Sequence, residues 1–415
     1  MSRSLLCCLL FGFAGLPCSS SAQDLSDFST LTISAITDST LNLRCPTEAG
    51  FLYKVQQSDS LLWTNPVDLS EFTLAAGPSF DLQVDLQNTV PYRFFRVVRR
   101  TDANKTPLVV FDTDMGPDID DAVALALLHG YQDAGMIEIA AVSVCRDSTI
   151  AARYVDVVNT AMGRPDIPIG IYRSGTVSSI QANNNRFTVL APNYPHDVHL
   201  SPIADGYTLA RDVLANAGER PVLLIQTGFS GTFSALMDSG GDVHSPLSGR
   251  ALAAAAEAKL FLAAGWFGAS RTEFNIEHDL SSARNLFATW PGEMVVSDWP
   301  VGAGLIYPYD RGIRDAFAPS HPVRAGYEQR VLTWHRNIDP NPPREFYNMV
   351  SWDLNPIIHA IEPDGNYYGL SSRGTVILSA AGRSTFVEDP QGKHTILLLP
   401  EDRQRTIDRM VELIE

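Results

Sequence analysis

Two periodicities divide the chain. Between Leu25 and Arg100 apolar and polar residues alternate in short runs: Leu31-Thr32-Ile33, Leu41-Asn42-Leu43, Tyr53-Lys54-Val55, Phe72-Thr73-Leu74, Phe80-Asp81-Leu82-Gln83-Val84 and Arg93-Phe94-Phe95-Arg96-Val97-Val98. Such runs, divided by turn residues and by no helical period, predict a small antiparallel β-sandwich over 25–100. Polar Thr101 to Thr106 is the expected linker. From Pro107 the texture changes. Apolar runs at Leu108 to Phe111, Ile137 to Val144, Val222 to Gln226, Leu260 to Ala264 and Glu293 to Ser297 read as buried strands. They alternate with helical segments at Asp121 to Tyr131, Thr149 to Met162, Ala204 to Ala217, Ser281 to Trp290 and Pro356 to Ile361. That alternation predicts an α/β domain over 107–415, an open, mostly parallel sheet with flanking helices. Ser174 to Pro202 and Ile306 to Pro343, rich in Pro, Asn and Gly, are expected as long loops near a site, in the role of lid or specificity elements.

Length and charge narrow the function classes. The chain has 415 residues, enough for two domains, and 31 Lys plus Arg stand against 47 Asp plus Glu, a formal charge of -16. This balance disfavours a nucleic-acid partner and suits cation binding. Met1 to Ala22 has Arg3, an apolar Leu5 to Leu16 and small residues at Ser20-Ser21-Ala22, so it reads as a secretory signal, and the protein is expected to be secreted or periplasmic. That segment is too short for a membrane span. Of five cysteines, Cys7, Cys8 and Cys18 fall within the signal, which leaves Cys45 and Cys145 as two free thiols in different domains. Trp63 is expected in the core of the sandwich.

The candidate chemistry is concentrated between Val109 and Leu125. Asp112, Asp114, Asp118, Asp120 and Asp121 place five carboxylates within ten positions, between a strand and a helix. Carboxylates crowded at a strand tip either stay in water or are neutralised by a cation, and Asp and backbone oxygens favour hard Ca²⁺ or Mg²⁺ over zinc. A solvated loop with one Asp as helix N-cap explains one or two of them. An EF-hand loop fails, because Gly116, Pro117 and Val123 stand where it needs Asp or Asn, Gly and Glu. A Mg²⁺-dependent phosphatase using Asp112 and Asp114 would also need a phosphate-binding Lys or Arg, and no matching motif follows.

The run from Asp112 through Asp114, Gly116, Asp120, Asp121 and Ala122 to Leu125 resembles the signature of the nucleoside hydrolases, the inosine-uridine preferring family. Three further segments match that family in order: Val222 to Gly228, Glu273-Phe274-Asn275-Ile276-Glu277-His278-Asp279, and Ser351-Trp352-Asp353-Leu354. The resemblance implies Ca²⁺ held by Asp114, Asp121, the carbonyl of Thr227 and Asp353. It also implies ribose held by Asp120, Glu273 and Asn275, the last two expected on one side of an extended segment. Its expected reaction is hydrolysis of the N-glycosidic bond of a ribonucleoside, with Asp114 as general base, Asn275 stabilising the positively charged sugar, and inversion at the anomeric carbon. The chain departs from the pattern in three places. Its Asp loop is two residues longer, which is expected to leave Asp118 bulging into solvent. Leu280 replaces a proline. Trp352 stands where many members carry a histidine that protonates the base, so Trp352 is expected to stack on a purine, with His196 or His199 as alternative acids. The N-terminal runs resemble fibronectin-like accessory modules. A non-catalytic, calcium-stabilised ribose-binding or adhesion protein on the same fold is the alternative. The sandwich's ligand and any homo-oligomer stay open.

Overall fold

The computed structural model describes 106–173, 177, 181, 183–198, 203–335, 343 and 347–414, together with the backbone of strands in the first hundred residues. Trp63, Cys7, Cys8, Cys18, residues 102–105, His199, the Cys45 side chain and most of 1–22 lie outside the described residues. Two compact units are present: Met1–Thr106 with Asp133–Met136, and Pro107–Gln132 with Ile137–Glu415. In the first, the strands form two antiparallel groups. Thr32–Ile36, Thr40–Pro46 and Ser79–Asp85 make one. Arg3–Leu5, Phe94–Thr101, Phe51–Ser58, Val67–Asp68 and Thr73–Leu74 make the other.

The second unit is built on one large sheet. Its parallel part runs Ala204–Asp205, Ile169–Ile171, Glu138–Val144, Leu108–Thr113, Val222–Gln226, Lys259–Ala263, Met294–Ser297 and His394–Leu398. Gly374–Leu378 and Ser384–Glu388 extend it antiparallel. Every residue of Leu108–Thr113 is buried, as a strand covered on both faces must be. Each apolar run read as a strand is a strand. Helices Asp120–Asp133, Thr149–Ala161, Gly206–Asn216, Leu280–Thr289 and Leu354–Ile361 occupy the expected helical segments. An apolar core joins Val110, Leu224, Phe233, Leu260, Leu262, Leu286 and Val296 between sheet and helices.

Two expectations are corrected. Ile306 to Pro343 is not one long loop: Pro322–His335 is a helix, carrying Val323, Tyr327 and Val331 on one buried stripe four residues apart. Within Ser174 to Pro202, Thr188–Asn193 forms a short 3-10 helix. For the site the decisive feature is strand order. Leu108–Thr113 pairs with Glu138–Val144 on one side and Val222–Gln226 on the other, so the winding reverses there and opens a crevice at the strands' carboxyl ends.

Candidate active site

Leu108–Thr113 delivers the acidic loop into that crevice. Asp114, Asp120, Asp121 and Asp353 are 6, 5, 1 and 6 % exposed. They belong to one electrostatic group. Burial pushes the Asp114 carboxyl up to about 6, partly opposed by the Arg146 guanidinium. Asp120, Asp121 and Asp353 are raised well above the ordinary carboxylate range, by burial first and then by neighbouring charge: Asp118 and Asp114 act on Asp120, Asp114 and Asp120 on Asp121, and Asp120 and Asp121 on Asp353. The Asp353 amide donates to Asp120 Oδ2 at 3.4 Å, and the Thr113 hydroxyl donates to Asp121 Oδ1. Asp112 lies deeper. It is fully buried, accepts from the Ser143 hydroxyl, and is raised to about 8 by burial.

The loop is held from beneath by a residue that the motif search passed over. Arg146, fully buried, donates from Nε to the Asp114 carbonyl at 2.7 Å, from Nη1 to the Gln181 carbonyl at 3.1 Å, and from Nη2 to Asn185 Oδ1 at 2.9 Å and to the Met115 carbonyl. Gly116 turns the loop at φ +136°, and a Cβ there would sit 2.3 Å from Arg146 Nη2, so glycine is required by conformation and by space. Gly228 lets the next strand end approach: a Cβ would lie 2.5 Å from both the Asp114 amide nitrogen and Cys145 Sγ. Cys145 is a free, buried thiol. The two-residue expansion does not turn Asp118 out into solvent alone. Its carboxylate is 30 % exposed and pairs at 3.2 Å with buried Arg330, which also donates to the Pro117 carbonyl. The insertion therefore ties the acidic loop to helix Pro322–His335.

Thr227 follows strand Val222–Gln226, and its amide donates to the Asp112 carbonyl at 2.8 Å. Its own carbonyl accepts Asn275 Nδ2 at 3.0 Å, which leaves one lone pair for a second partner. Asn275 Nδ2 also meets the Ala263 carbonyl at 3.1 Å. The segment around Glu273 is not extended as expected. Phe274–His278 is a short helix and Glu273 is its N-cap, its carboxylate accepting the amides of Asn275 at 2.8 Å, Ile276 at 3.2 Å and Gly265 at 3.2 Å. Burial nonetheless raises Glu273 to about 7. Trp352 is half-buried beside Asp353. Its indole N–H donates to the Trp299 carbonyl at 3.1 Å, and its ring tilts against Trp299, which stacks on Trp266 with centroids 4.3 Å apart. His196 Nδ1 pairs with the Tyr194 carbonyl at 2.9 Å.

Among the described residues no three His, Cys, Asp or Glu side chains converge as a preformed cation cage. The donor set still fits a hard cation. The four buried carboxylates are acceptors only when ionised, neighbouring carboxylate charge raises all four, and the Thr227 hydroxyl is buried with no hydrogen-bond partner among the described residues.

No protein-family model and no curated protein matches the chain. Solved structures do. A plant nucleoside hydrolase is 17 % identical over 74 % of this chain and 99 % of its own, with a TM-score of 0.52. The inosine-uridine preferring nucleoside hydrolase from Bacillus anthracis is 14 % identical over 74 % and 99 %, with a TM-score of 0.53. The type III effector protein XopQ, complexed with adenosine diphosphate ribose, is 13 % identical over 75 % and 95 %, with a TM-score of 0.53. The chain thus has the mixed α/β fold of the nucleoside hydrolases, and at these identities the likeness is one of fold.

Proposed function

We propose that the chain is a calcium-dependent N-ribohydrolase that cleaves ribonucleosides, purines in preference, to free base and ribose. The observation that supports this reading is a group of four buried carboxylates raised by burial and by neighbouring charge, beside the Thr227 carbonyl that Asn275 holds, at the sheet's switch point and on a fold shared with nucleoside hydrolases. Asp114, Asp121, Asp353 and the Thr227 carbonyl would hold the ion. Bound there, Ca²⁺ supplies a water of lowered pKa to the anomeric carbon.

The chain's own groups do the rest. Asp114 takes the proton of the attacking water. Asp120 and Asn275 hold the ribose hydroxyls, and Glu273 joins them through lone pairs that its three backbone amides leave over. Fixed oxygens around the sugar stabilise positive charge developing there. Trp352 offers its ring beside Asp353, where a purine face stacks with a gain of about 1–3 kcal/mol. A phosphatase reading draws no support, because Asp112 is fully buried and held by the Ser143 hydroxyl rather than presented to a substrate. The N-terminal segment fits a signal followed by an accessory β-sandwich, which makes the enzyme a secreted or periplasmic one. A reducing-sugar assay over inosine, adenosine, uridine and cytidine, with Ca²⁺ and with chelator, tests the reading: ribose should appear with Ca²⁺ only, fastest from inosine or adenosine. Release of ribose from none of them would overturn it, and chelator-insensitive release would remove the metal.

A further inference from the structure

We infer that His278 is the acid that protonates the departing nucleobase, an inference that rests on the hydrolase reading above. His278 and Asn275 lie three residues apart on helix Phe274–His278 and so share one face. Asn275 fixes which face that is, since its amide is bound to the carbonyls of Thr227 and Ala263. His278 therefore stands about one turn, roughly 5 Å, along the same wall from Asn275. A second line of contacts closes the opposite side. His278 Nε2 lies 3.1 Å from Gln181 Nε2, the Gln181 carbonyl accepts Arg146 Nη1 at 3.1 Å, and Arg146 Nε reaches the Asp114 carbonyl at 2.7 Å. One continuous chain of contacts thus runs from the proposed base, Asp114, to this imidazole.

The ring is also oriented. Phe274 and Phe229 meet it edge-on, with centroids 4.4 and 6.4 Å away, and Phe274 is 41 % exposed, so the imidazole lies beside an apolar ring that solvent reaches. The other candidates are otherwise engaged. The Trp352 N–H is given to the Trp299 carbonyl, and His196 is held by the Tyr194 carbonyl. With Nε2 against Gln181, Nδ1 is the nitrogen left to face a substrate.

The step balances. The N-glycosidic bond breaks with its electron pair moving into the base, and the Nδ1 proton of protonated His278 passes to a base nitrogen. Water oxygen bonds to the anomeric carbon, and its proton goes to Asp114. In the protonated form Gln181 turns its amide end for end and accepts from Nε2, exchanging its contact with Asn184 Nδ2. Solvent then returns a proton to His278 and removes one from Asp114.

The test compares inosine with 4-nitrophenyl riboside, whose phenolate leaves without a proton, in wild type, His278→Gln and His278→Asn, each first confirmed as folded by its melting curve. Both variants should lose about 10²–10⁴-fold in kcat/KM on inosine, the range for general acid catalysis, while the nitrophenyl substrate changes by no more than about threefold. An equal loss on both substrates, or no loss on inosine, overturns the assignment. A wild type that cleaves the nitrophenyl riboside but no nucleoside overturns it as well, and one that cleaves neither overturns the hydrolase reading beneath it.

Discussion

Replacing Arg146 by Met removes a fully buried cation of nearly the same length. It strips hydrogen bonds from the carbonyls of Asp114, Met115 and Gln181 and from Asn185 Oδ1. A hydrogen bond to a charged group is worth about 1.5–3 kcal/mol. These four act on one rigid loop and are not additive, so the network figure of about 3–5 kcal/mol for breaking a buried ionic group is the better guide. The same change takes away the positive charge that lowers Asp114 and Asp121, so both carboxyls should rise further in the metal-free protein. Thermal unfolding is the assay. At about 2 °C per kcal/mol, the low end for larger domains, Arg146→Met should lower Tm by roughly 6–10 °C, and Arg146→Lys should recover less than half of that, since an ammonium cannot span the four acceptors. A Tm within about 2 °C of wild type would refute the claim that this guanidinium holds the acidic loop.

Calcium at 100 times its Kd should stabilise the protein by about 2.7 kcal/mol; an unchanged melting curve with excess chelator would count against any bound ion. Asp114→Asn should cut turnover by about 10²-fold or more, whereas Asp118→Asn should cost about 1–3 kcal/mol of stability through loss of its charged pair with buried Arg330 and less than about tenfold in turnover; equal losses of turnover would break the assignment of the expanded loop. Because burial raises Asp114 to about 6, calcium must displace a proton below that pH, and its affinity should fall about fivefold from pH 6 to pH 5 through this group, measurable by calorimetry in two buffers. Burial lowers His359 to about 4 from its ordinary 6.5. The unfolded chain binds that proton first, so about 3 kcal/mol present above pH 6.5 is lost as pH falls toward 4, and His359→Phe should flatten that part of the urea-unfolding profile.

Periodicity carried most of the α/β unit into view because its strands are buried on both faces. Leu108 to Phe111 and Val222 to Gln226 are apolar runs that no helix of the same length would need. Helix Pro322–His335 was hidden by its surroundings: prolines, glycines and arginines mask a stripe of only Val323, Tyr327 and Val331. Glu273 shows a different limit. Its spacing to Asn275 fits a strand, but a Glu that accepts the amides two and three residues ahead starts a helix, and Gly265, its third donor, is remote in sequence. Arg146 left one signal, a lone cation directly after the apolar run that ends at Cys145. What it binds has no signature near it, since its acceptors are the backbone carbonyls of Asp114, Met115 and Gln181 and the side-chain oxygen of Asn185, all of them more than thirty residues away.

The placement of the two buried arginines explains why the acidic crevice invites an external cation. The hydrogen bonds described for Arg146 go to carbonyl and amide oxygens, and Arg330 meets Asp118 and the Pro117 carbonyl. Both therefore shape the loop, while burial and neighbouring carboxylate charge keep Asp120, Asp121 and Asp353 raised. By directing these hydrogen bonds to the backbone, the chain fixes where the carboxylates stand, and the Arg146 charge offsets only part of what raises Asp114 and Asp121. A divalent ion bound among them meets prearranged ligands and gains from relief of their repulsion. In the proposed reaction the same carboxylate charge would face the sugar carbon as it becomes positive. On this argument, binding and catalysis draw on a single electrostatic arrangement.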